Sequence, residues 1–330
     1  MANIMITKRC NLSCPYCFAN DYVNDGSQNF DIDMASFNEI LEFILRDGSQ
    51  KKIGLIGGEP TVHPQFEDIL RTTAAVEQLL CVTVYTNGIL IDKYLDTLSD
   101  PKFKLLINCN DLSFSKELTD RFTQSYEAAY ACMKERVTPG VNFYKPDFDF
   151  SYAVKLLEKY HYDKVRVSIS VPNSGYSYDP LSYFSAVKAR VIDFFMKLKQ
   201  IGTIPFFDCN IFPACLLYFD DVEAFSEWGS DNPFFNIKSR QTGCLPVVDI
   251  LPDKTAIRCF GLSEYTGENI KDFACITDLI NYYLRTVDAY AINTVYDEKC
   301  SECYKFKTMK CSGGCLVYKI DKIISQRKGC

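Results

Sequence analysis

Cys10-Asn-Leu-Ser-Cys14-Pro-Tyr-Cys17 places three thiols on one short loop, at C-x3-C-x2-C spacing. Three thiolates so placed can hold three irons of a [4Fe–4S] cube, which normally takes four Cys ligands. The fourth iron is then left for a ligand that is not protein. Zinc is the other chemistry open to such thiols, but it wants four tetrahedral ligands and usually pairs C-x2-C with a distant second pair. A second cysteine set runs Cys300-x2-Cys303-x7-Cys311-x3-Cys315 and then Cys330, with Cys244 and Cys259 upstream and a turn at Pro252-Asp253 between them. Such pairs suit iron clusters and structural zinc alike. The chain has 16 cysteines and only His63 and His161 as histidines, so its metal chemistry must be thiolate chemistry. Gly57-Gly58-Glu59-Pro60 adds two glycines that admit a close backbone approach and a carboxylate that can accept from an ammonium. Alone, this tetrapeptide is a common turn; its place one strand after the cysteine loop gives it weight. His63, in the loop that follows, reads as structural.

Taken together, these residues resemble the radical S-adenosylmethionine (radical SAM) superfamily, whose hallmark is this cysteine spacing with an aromatic residue, here Tyr16, before the third Cys. The resemblance implies a partial (β/α)6 TIM-like barrel, SAM bound through its amine and carboxylate to the open iron, and reductive cleavage to a 5′-deoxyadenosyl radical. It puts Gly57, Gly58 and Glu59 at the SAM amine, Tyr16 beside the adenine and Asn108 on the ribose. Asn87 and Arg166 read as strand-end polar residues facing the barrel mouth, where they either reach a ligand or serve as turn and surface residues.

The C-terminal set resembles the SPASM domain, an auxiliary-cluster module. Two departures stand out: a seven-residue spacer where the family has five, and Lys254 where it has Gly. By this resemblance Cys300, Cys303, Cys311 and Cys330 hold an outer cluster, and Cys244, Cys259 and Cys315 part of an inner one. Two four-iron clusters with full protein ligation need about eight thiolates, so the inner cluster is one short. Either its last iron is open, or Cys209 or Cys215, in the loop after the last barrel strand, completes it. Alternatively, one of these two thiols is a hydrogen-atom donor to a substrate radical.

The elements that must position these groups alternate strand and helix. Strands are expected at residues 2–6, 52–56, 81–85, 104–109, 141–144, 164–170 and 204–208. The helix after Asp33 has Phe37, Ile40, Leu41, Ile44 and Leu45 on one face and stops at Gly48; others follow near 66–70, 117–134, 152–160 and 182–199. Such alternation means parallel βαβ units. Around 213–243 it stops, with one helical turn expected at 224–228. The expected domains are therefore a barrel at 1–212, a linker at 213–243 and a small cysteine-rich SPASM-like domain at 244–330. Cys81, Cys109, Cys132 and Cys275 lie in or beside apolar patterns and read as core thiols.

The 330 residues suit one barrel-sized domain and a small one. With 47% hydrophobic and 24% charged residues the composition is that of a soluble globular protein, without a membrane span or a signal-peptide layout. Many cysteines without an export signal point to a reducing cytoplasm and to metal ligation rather than disulfides. The net charge of −6 excludes a chain-wide cationic footprint for nucleic acid, yet residues 299–330 carry a local +6. Those cations either offset thiolate-bound metal or form a patch for an acidic peptide.

The expected activity is hydrogen abstraction from a peptide or protein residue, giving oxidation, a cross-link or epimerisation. The expected cofactors are SAM, its own [4Fe–4S] cluster and two auxiliary ones, with electrons from a flavodoxin- or ferredoxin-type donor. A sugar or alcohol dehydrogenase is the alternative, favoured by a cysteine loop that starts at residue 10 without a preceding leader-binding segment. A non-catalytic Fe–S electron carrier is the reading from another class.

Overall fold

The computed structural model describes residues 2–17, 19, 22–23, 31–170, 180–207, 247–309, 311–320 and 322–324. The chain forms two compact units, one from Met1–Pro139 with Pro246–Tyr283, the other from Gly140–Leu245 with Leu284–Cys330. The first unit begins β1 (Ala2–Thr7), α1 (Met34–Leu45), β2 (Lys52–Gly57), α2 (Phe66–Ala75), β3 (Cys81–Thr86), α3 (Leu95–Leu98), β4 (Phe103–Asn108) and α4 (Lys116–Met133). Neighbouring strands from β1 to β4 pair in parallel. The chain continues through β5 (Val137–Phe143), inside which the division falls, to α5 (Ser151–Lys159), β6 (Lys164–Ile169), α6 (Pro180–Ile201) and β7 (Ile204–Phe206). In the second unit β6 pairs in parallel with both β5 and β7. This is α/β architecture with parallel strands and a helix between successive strands, as in a partial TIM-like barrel.

The local reasons are those the sequence offers. All six residues of β1 are buried, as a parallel strand covered on both faces requires. The Asp33 side chain accepts from Ser36 N at 2.8 Å and caps α1, whose buried side includes the five residues expected there. Gly48, at φ +69°, closes that helix by donating its N–H to Leu45 O. In β3 burial alternates, with Val82, Val84 and Thr86 inside and Cys81, Thr83 and Tyr85 half-buried. The second unit packs α6 against its strands through an aromatic core in which Phe143 lies 5.4 Å from Phe194 and Phe150 5.1 Å from it, ring centre to ring centre.

One extension of the first sheet has no counterpart in the periodicity. β8 (Val248–Ile250) pairs in parallel with β1, Ala2 opposite Val248, and turns back antiparallel into β9 (Thr255–Ile257), which pairs with β10 (Glu268–Asn269). The expected turn at Pro252-Asp253 is this hairpin, closed by Leu251 N–H to Thr255 O. Lys254 takes φ +71° there, the left-handed conformation that glycine adopts freely. Its ammonium pairs with Glu39 on α1. The seam between β1 and β8 is polar: Asn3 Nδ2 donates to Asp249 Oδ1 at 2.7 Å. Burial pushes the Asp249 carboxyl up to about 6, against the pull of Asn3 and of the wholly buried Arg258. Residues 248–269 thus add strands beside β1. The division into 1–212, 213–243 and 244–330 stays a proposal about where cluster ligands gather. The turn expected at 224–228 lies outside the described residues.

Among the described residues no helix is long and apolar enough to cross a membrane. Of the four thiols read as core, only Cys109 is buried; Cys81 and Cys275 are half-buried and Cys132 is exposed. Cys132, in the last turn of α4, lies off the helix's buried row of Ser125, Tyr126, Ala129 and Met133, and so falls on the wet side.

Candidate functional site

Cys10, Cys14 and Cys17 lie just beyond the C-terminal end of β1, all half-buried. A turn closed by Cys17 N–H to Cys14 O joins the last two, and Leu12 N–H donates to Cys10 Sγ at 3.4 Å. Beneath them Met5, Ile56, Leu251, Ile257 and Phe260 form an apolar floor on which Cys17 packs. Burial pushes the Cys10 thiol up to about 12, with the charges of Glu59, Cys14 and Cys17 adding to it; burial and Cys17 raise Cys14 in the same direction. Three thiolates in this setting require positive charge among them, which metal ions supply. Among the described residues no three Cys, His, Asp or Glu side chains converge on a point that one metal ion could occupy. A four-iron cube asks for something else, one thiolate per iron at separate corners. The three thiols of this loop fit such a cube, one at each of three corners.

The loop is seated on the end of β2. Gly58 N–H donates to Thr7 O at 2.9 Å and Glu59 N–H to Arg9 O at 2.8 Å. A Cβ on Gly57 would meet Thr7 O at 2.7 Å; one on Gly58 would run into Arg9 O and come within 2.9 Å of Cys10 Cβ. The sequence reading gave these glycines to a ligand. In the structure the space they leave is filled by the backbone that carries the first cysteine.

Glu59 is 1% exposed. Its Oε1 accepts from Thr61 N–H at 3.1 Å, Thr61 Oγ1 at 2.7 Å and Thr86 Oγ1 at 2.7 Å, and its Oε2 from Asn87 N–H at 2.7 Å. Burial raises its pKa while these donors lower it. The carboxylate thus ties the Gly-Gly turn to the end of β3. Asn87 passes the tie on: its Nδ2 donates to Asn11 Oδ1 at 2.7 Å, inside the cysteine loop, and its own Oδ1 accepts from Ile89 N–H. Tyr16 reaches Asn110, past the end of β4, through its hydroxyl, and Asn110 N–H donates to Asn108 O at 3.0 Å. Asn108 is half-buried as the last residue of β4. Arg166 belongs to the second unit. It is the third residue of β6 rather than at its end, and donates to Asn142 Oδ1 at 2.7 Å.

Sequence reasoning passed over Asn11, Asn110 and Arg9. Arg9 forks onto Asp31, Nε to Oδ1 at 3.1 Å and Nη2 to Oδ2 at 2.7 Å, and reaches Val62 O at 3.1 Å. A charged residue directly before Cys10 was the one available signal. His63 is structural as read: Nε2–H donates to Ile32 O at 2.9 Å and Nδ1 accepts from Gln65 N–H at 3.0 Å. Burial holds its pKa below the usual histidine value, which fits this neutral tautomer.

Of the second cysteine set, Cys259 sits in the first unit, half-buried, opening the short turn Phe260–Leu262. Cys300, Cys303, Cys311 and Cys315 lie in the second unit, also half-buried. Short turns join them: Cys303 N–H to Cys300 O, Cys311 N–H to Lys305 O, and Gly313 N–H to Cys311 Sγ at 3.4 Å. Gly313 and Gly314 take φ +73° and +105°, and a Cβ on Gly314 would strike the Tyr296 ring. Lys319 is buried close by; burial pulls its pKa down to about 8, while the charges of Cys311, Cys315 and Cys300 push it up. Cys209, Cys215, Cys244 and Cys330 lie outside the described residues.

A parallel α/β fold with a three-thiol loop at the end of its first strand can be set beside known proteins. Residues 4–142 match the model of the Radical SAM superfamily. GTP 3′,8-cyclase of Chlorobaculum tepidum is 33% identical over 95 residues, 29% of this chain and 28% of that protein. The same enzyme of Campylobacter fetus is 31% identical over 103 residues, 31% of each. The match thus spans under a third of these curated relatives. Among solved structures, Streptococcus suis SuiB superposes with a TM-score of 0.64 at 17% identity, over 97% of this chain and 73% of its own. SuiB bound to its precursor peptide SuiA gives 0.63 at 17%, over 97% and 72%. Native anSMEcpe with bound AdoMet gives 0.61 at 14%, over 100% and 99%. At these identities the likeness is one of fold.

Proposed function

We propose that this chain is a radical SAM enzyme that abstracts a hydrogen atom from a residue of a peptide or protein, giving an oxidised, cross-linked or epimerised product. The observation that carries the reading is the cysteine loop: three half-buried thiols seated on the Gly57-Gly58 turn and tied to the ends of β3 and β4. Cys10, Cys14 and Cys17 would each hold one iron, leaving the fourth for SAM. A [4Fe–4S] cluster and SAM held there would supply the one-electron chemistry that generates a hydrogen-abstracting 5′-deoxyadenosyl radical. Tyr16, Asn108, Asn87 and Arg166 are proposed to line the SAM and substrate space, and Glu59 to hold the Gly-Gly turn against the SAM amine. Cys300, Cys303, Cys311 and Cys330 would hold one auxiliary cluster, and Cys244, Cys259 and Cys315 part of another, in a SPASM-like module. Cys209 and Cys215 are proposed as a completing ligand or a hydrogen donor. Electrons would come from a flavodoxin- or ferredoxin-type protein, with the cytoplasm as setting.

The peptide assignment is supported by the likeness in fold to SuiB, a protein solved with its precursor peptide. A small-molecule substrate is the second reading, favoured by curated relatives that are GTP 3′,8-cyclases. Reduced protein and SAM should yield 5′-deoxyadenosine, and the Cys10, Cys14 and Cys17→Ala triple variant should yield none while keeping iron at the C-terminal cysteines. Unchanged 5′-deoxyadenosine in the triple variant would overturn the site; none in the wild type would favour an electron carrier. Deuterium passing into 5′-deoxyadenosine from a labelled peptide, and not from labelled nucleotides, sugars or alcohols, would separate the two substrate readings.

A further inference from the structure

Lys319 ends the short turn Leu316–Lys319, which Cys315 opens. It is 1% exposed, in a stretch whose other described lysines, Lys299, Lys305, Lys307 and Lys322, are exposed or half-buried. Its Nζ donates to Ala291 O at 3.2 Å and to Ser312 O. Ser312 directly follows Cys311, so the ammonium is fixed between the Cys311–Cys315 turn and the segment at Ala291. Carbonyls satisfy two of its three protons but carry no net charge. A buried ammonium is seldom tolerated without an opposing charge. The charges acting on this one are those of Cys311, Cys315 and Cys300, and no carboxylate among the described residues is one of them.

We propose that Lys319 is the resident counter-charge of the C-terminal cysteine site, a positioning residue whose locked ammonium offsets the Cys300, Cys311 and Cys315 thiolates and raises the reduction potential of the clusters they help to hold. The proposal rests on the auxiliary-cluster reading above. Adding an electron to a cluster ringed by thiolates makes an anionic site more anionic; a fixed cation nearby favours that step, and net charge is one of the levers that set such potentials. It also bears on the local +6: of the cations described there, Lys299, Lys307 and Lys322 are exposed, Lys305 is half-buried, and Lys319 is buried beside the cysteine turn.

The test uses the full chain in the Cys10, Cys14 and Cys17→Ala background, reconstituted with iron and sulfide, so that only C-terminal clusters are read. Iron per chain and the midpoint potential from an EPR-monitored titration are compared for Lys319, Lys319→Met and Lys319→Arg. Methionine keeps the bulk and removes the charge, so the potential should fall with iron retained. Arginine restores the charge and should bring the potential back toward wild type. Iron lost in Lys319→Met and recovered in Lys319→Arg would also support the counter-charge. An unmoved potential with full iron in Lys319→Met would overturn it, as would an arginine variant that behaves like methionine. If the background protein holds no iron, the auxiliary-cluster reading itself falls and takes this role with it; iron that is present but indifferent to Lys319 removes the counter-charge alone.

Discussion

Cys10 is seated by backbone that belongs to a sheet. Thr7 and Arg9 run against Gly58 and Glu59, and Asn11 and Tyr16 are held from the ends of β3 and β4 by Asn87 and Asn110. Cys311 and Cys315 are held otherwise, by turns a few residues long, two glycines at positive φ and the buried Lys319. A loop clamped between strand ends inherits its order from the apolar core beneath the strands. A loop built of short turns buries little and draws order from what it binds. The first cysteine loop should therefore keep its shape when iron is removed, and the second should lose much of its protection from hydrogen exchange.

Two glycines offer the largest effect and a reciprocal one. Gly58→Ala puts a methyl group into the Arg9 carbonyl, and backbone cannot swing aside. It should cost about 1–3 kcal/mol and abolish SAM cleavage, with C-terminal iron intact. Gly314→Ala meets the Tyr296 ring at a strained φ and should do the reverse, depleting C-terminal iron while 5′-deoxyadenosine formation persists. Iron counting beside the SAM-cleavage assay reads both; if either variant lost both sites together, the two loops would not be independently held.

Glu59→Gln is smaller and sharper. Replacing one carboxylate oxygen by an NH2 leaves buried donors facing each other, which costs about 1–3 kcal/mol of stability. If instead the carboxylate meets the SAM ammonium directly, stability should hold while SAM affinity falls roughly 10- to 100-fold, the loss of a charge-assisted bond. Denaturation and SAM titration of the same variant decide between them. The smallest effect belongs to Lys254→Gly, which frees a left-handed position and should stabilise by about 1 kcal/mol or less, with loss of the half-buried Glu39 pair subtracting part of that. A marked destabilisation by urea would mean that the lysine does more in the hairpin than adopt its turn.

Much of the first region could be read from residue order because its rules are local. Asp33 and Gly48 mark the two ends of α1 within 15 residues, and the strands announce themselves by burial on alternate or both faces. The ties around the cysteine loop have no such signature: Asn11 meets Asn87 across 76 residues and Tyr16 meets Asn110 across 94. The glycine pair was recognised, but the backbone it makes room for was not, since that chain lies some 50 residues earlier and only folding brings it there. β8 and β9 are three residues each, too short for a period to show. Lys254 hides a conformation that glycine would have declared. Arg166 was read as a strand-end residue facing the mouth, whereas it is the third of six residues in β6 and reaches Asn142 on the neighbouring strand.

The pairing of β1 with β8 carries a consequence for how the chain is made. Asn3 and Asp249 are partners 246 residues apart. At ribosomal rates of ~5–20 residues per second, roughly 12–50 s separate their synthesis. During that interval one edge of a wholly buried, largely apolar strand stands without its final neighbour, an open template for pairing with other nascent chains. The polar Asn3–Asp249 contact at this seam would reward the correct late strand over an apolar stray, which can offer the Asn3 amide no acceptor. Slow translation through the middle of the message should lengthen the exposure and lower soluble yield, and a chaperone that shields strand edges should restore it.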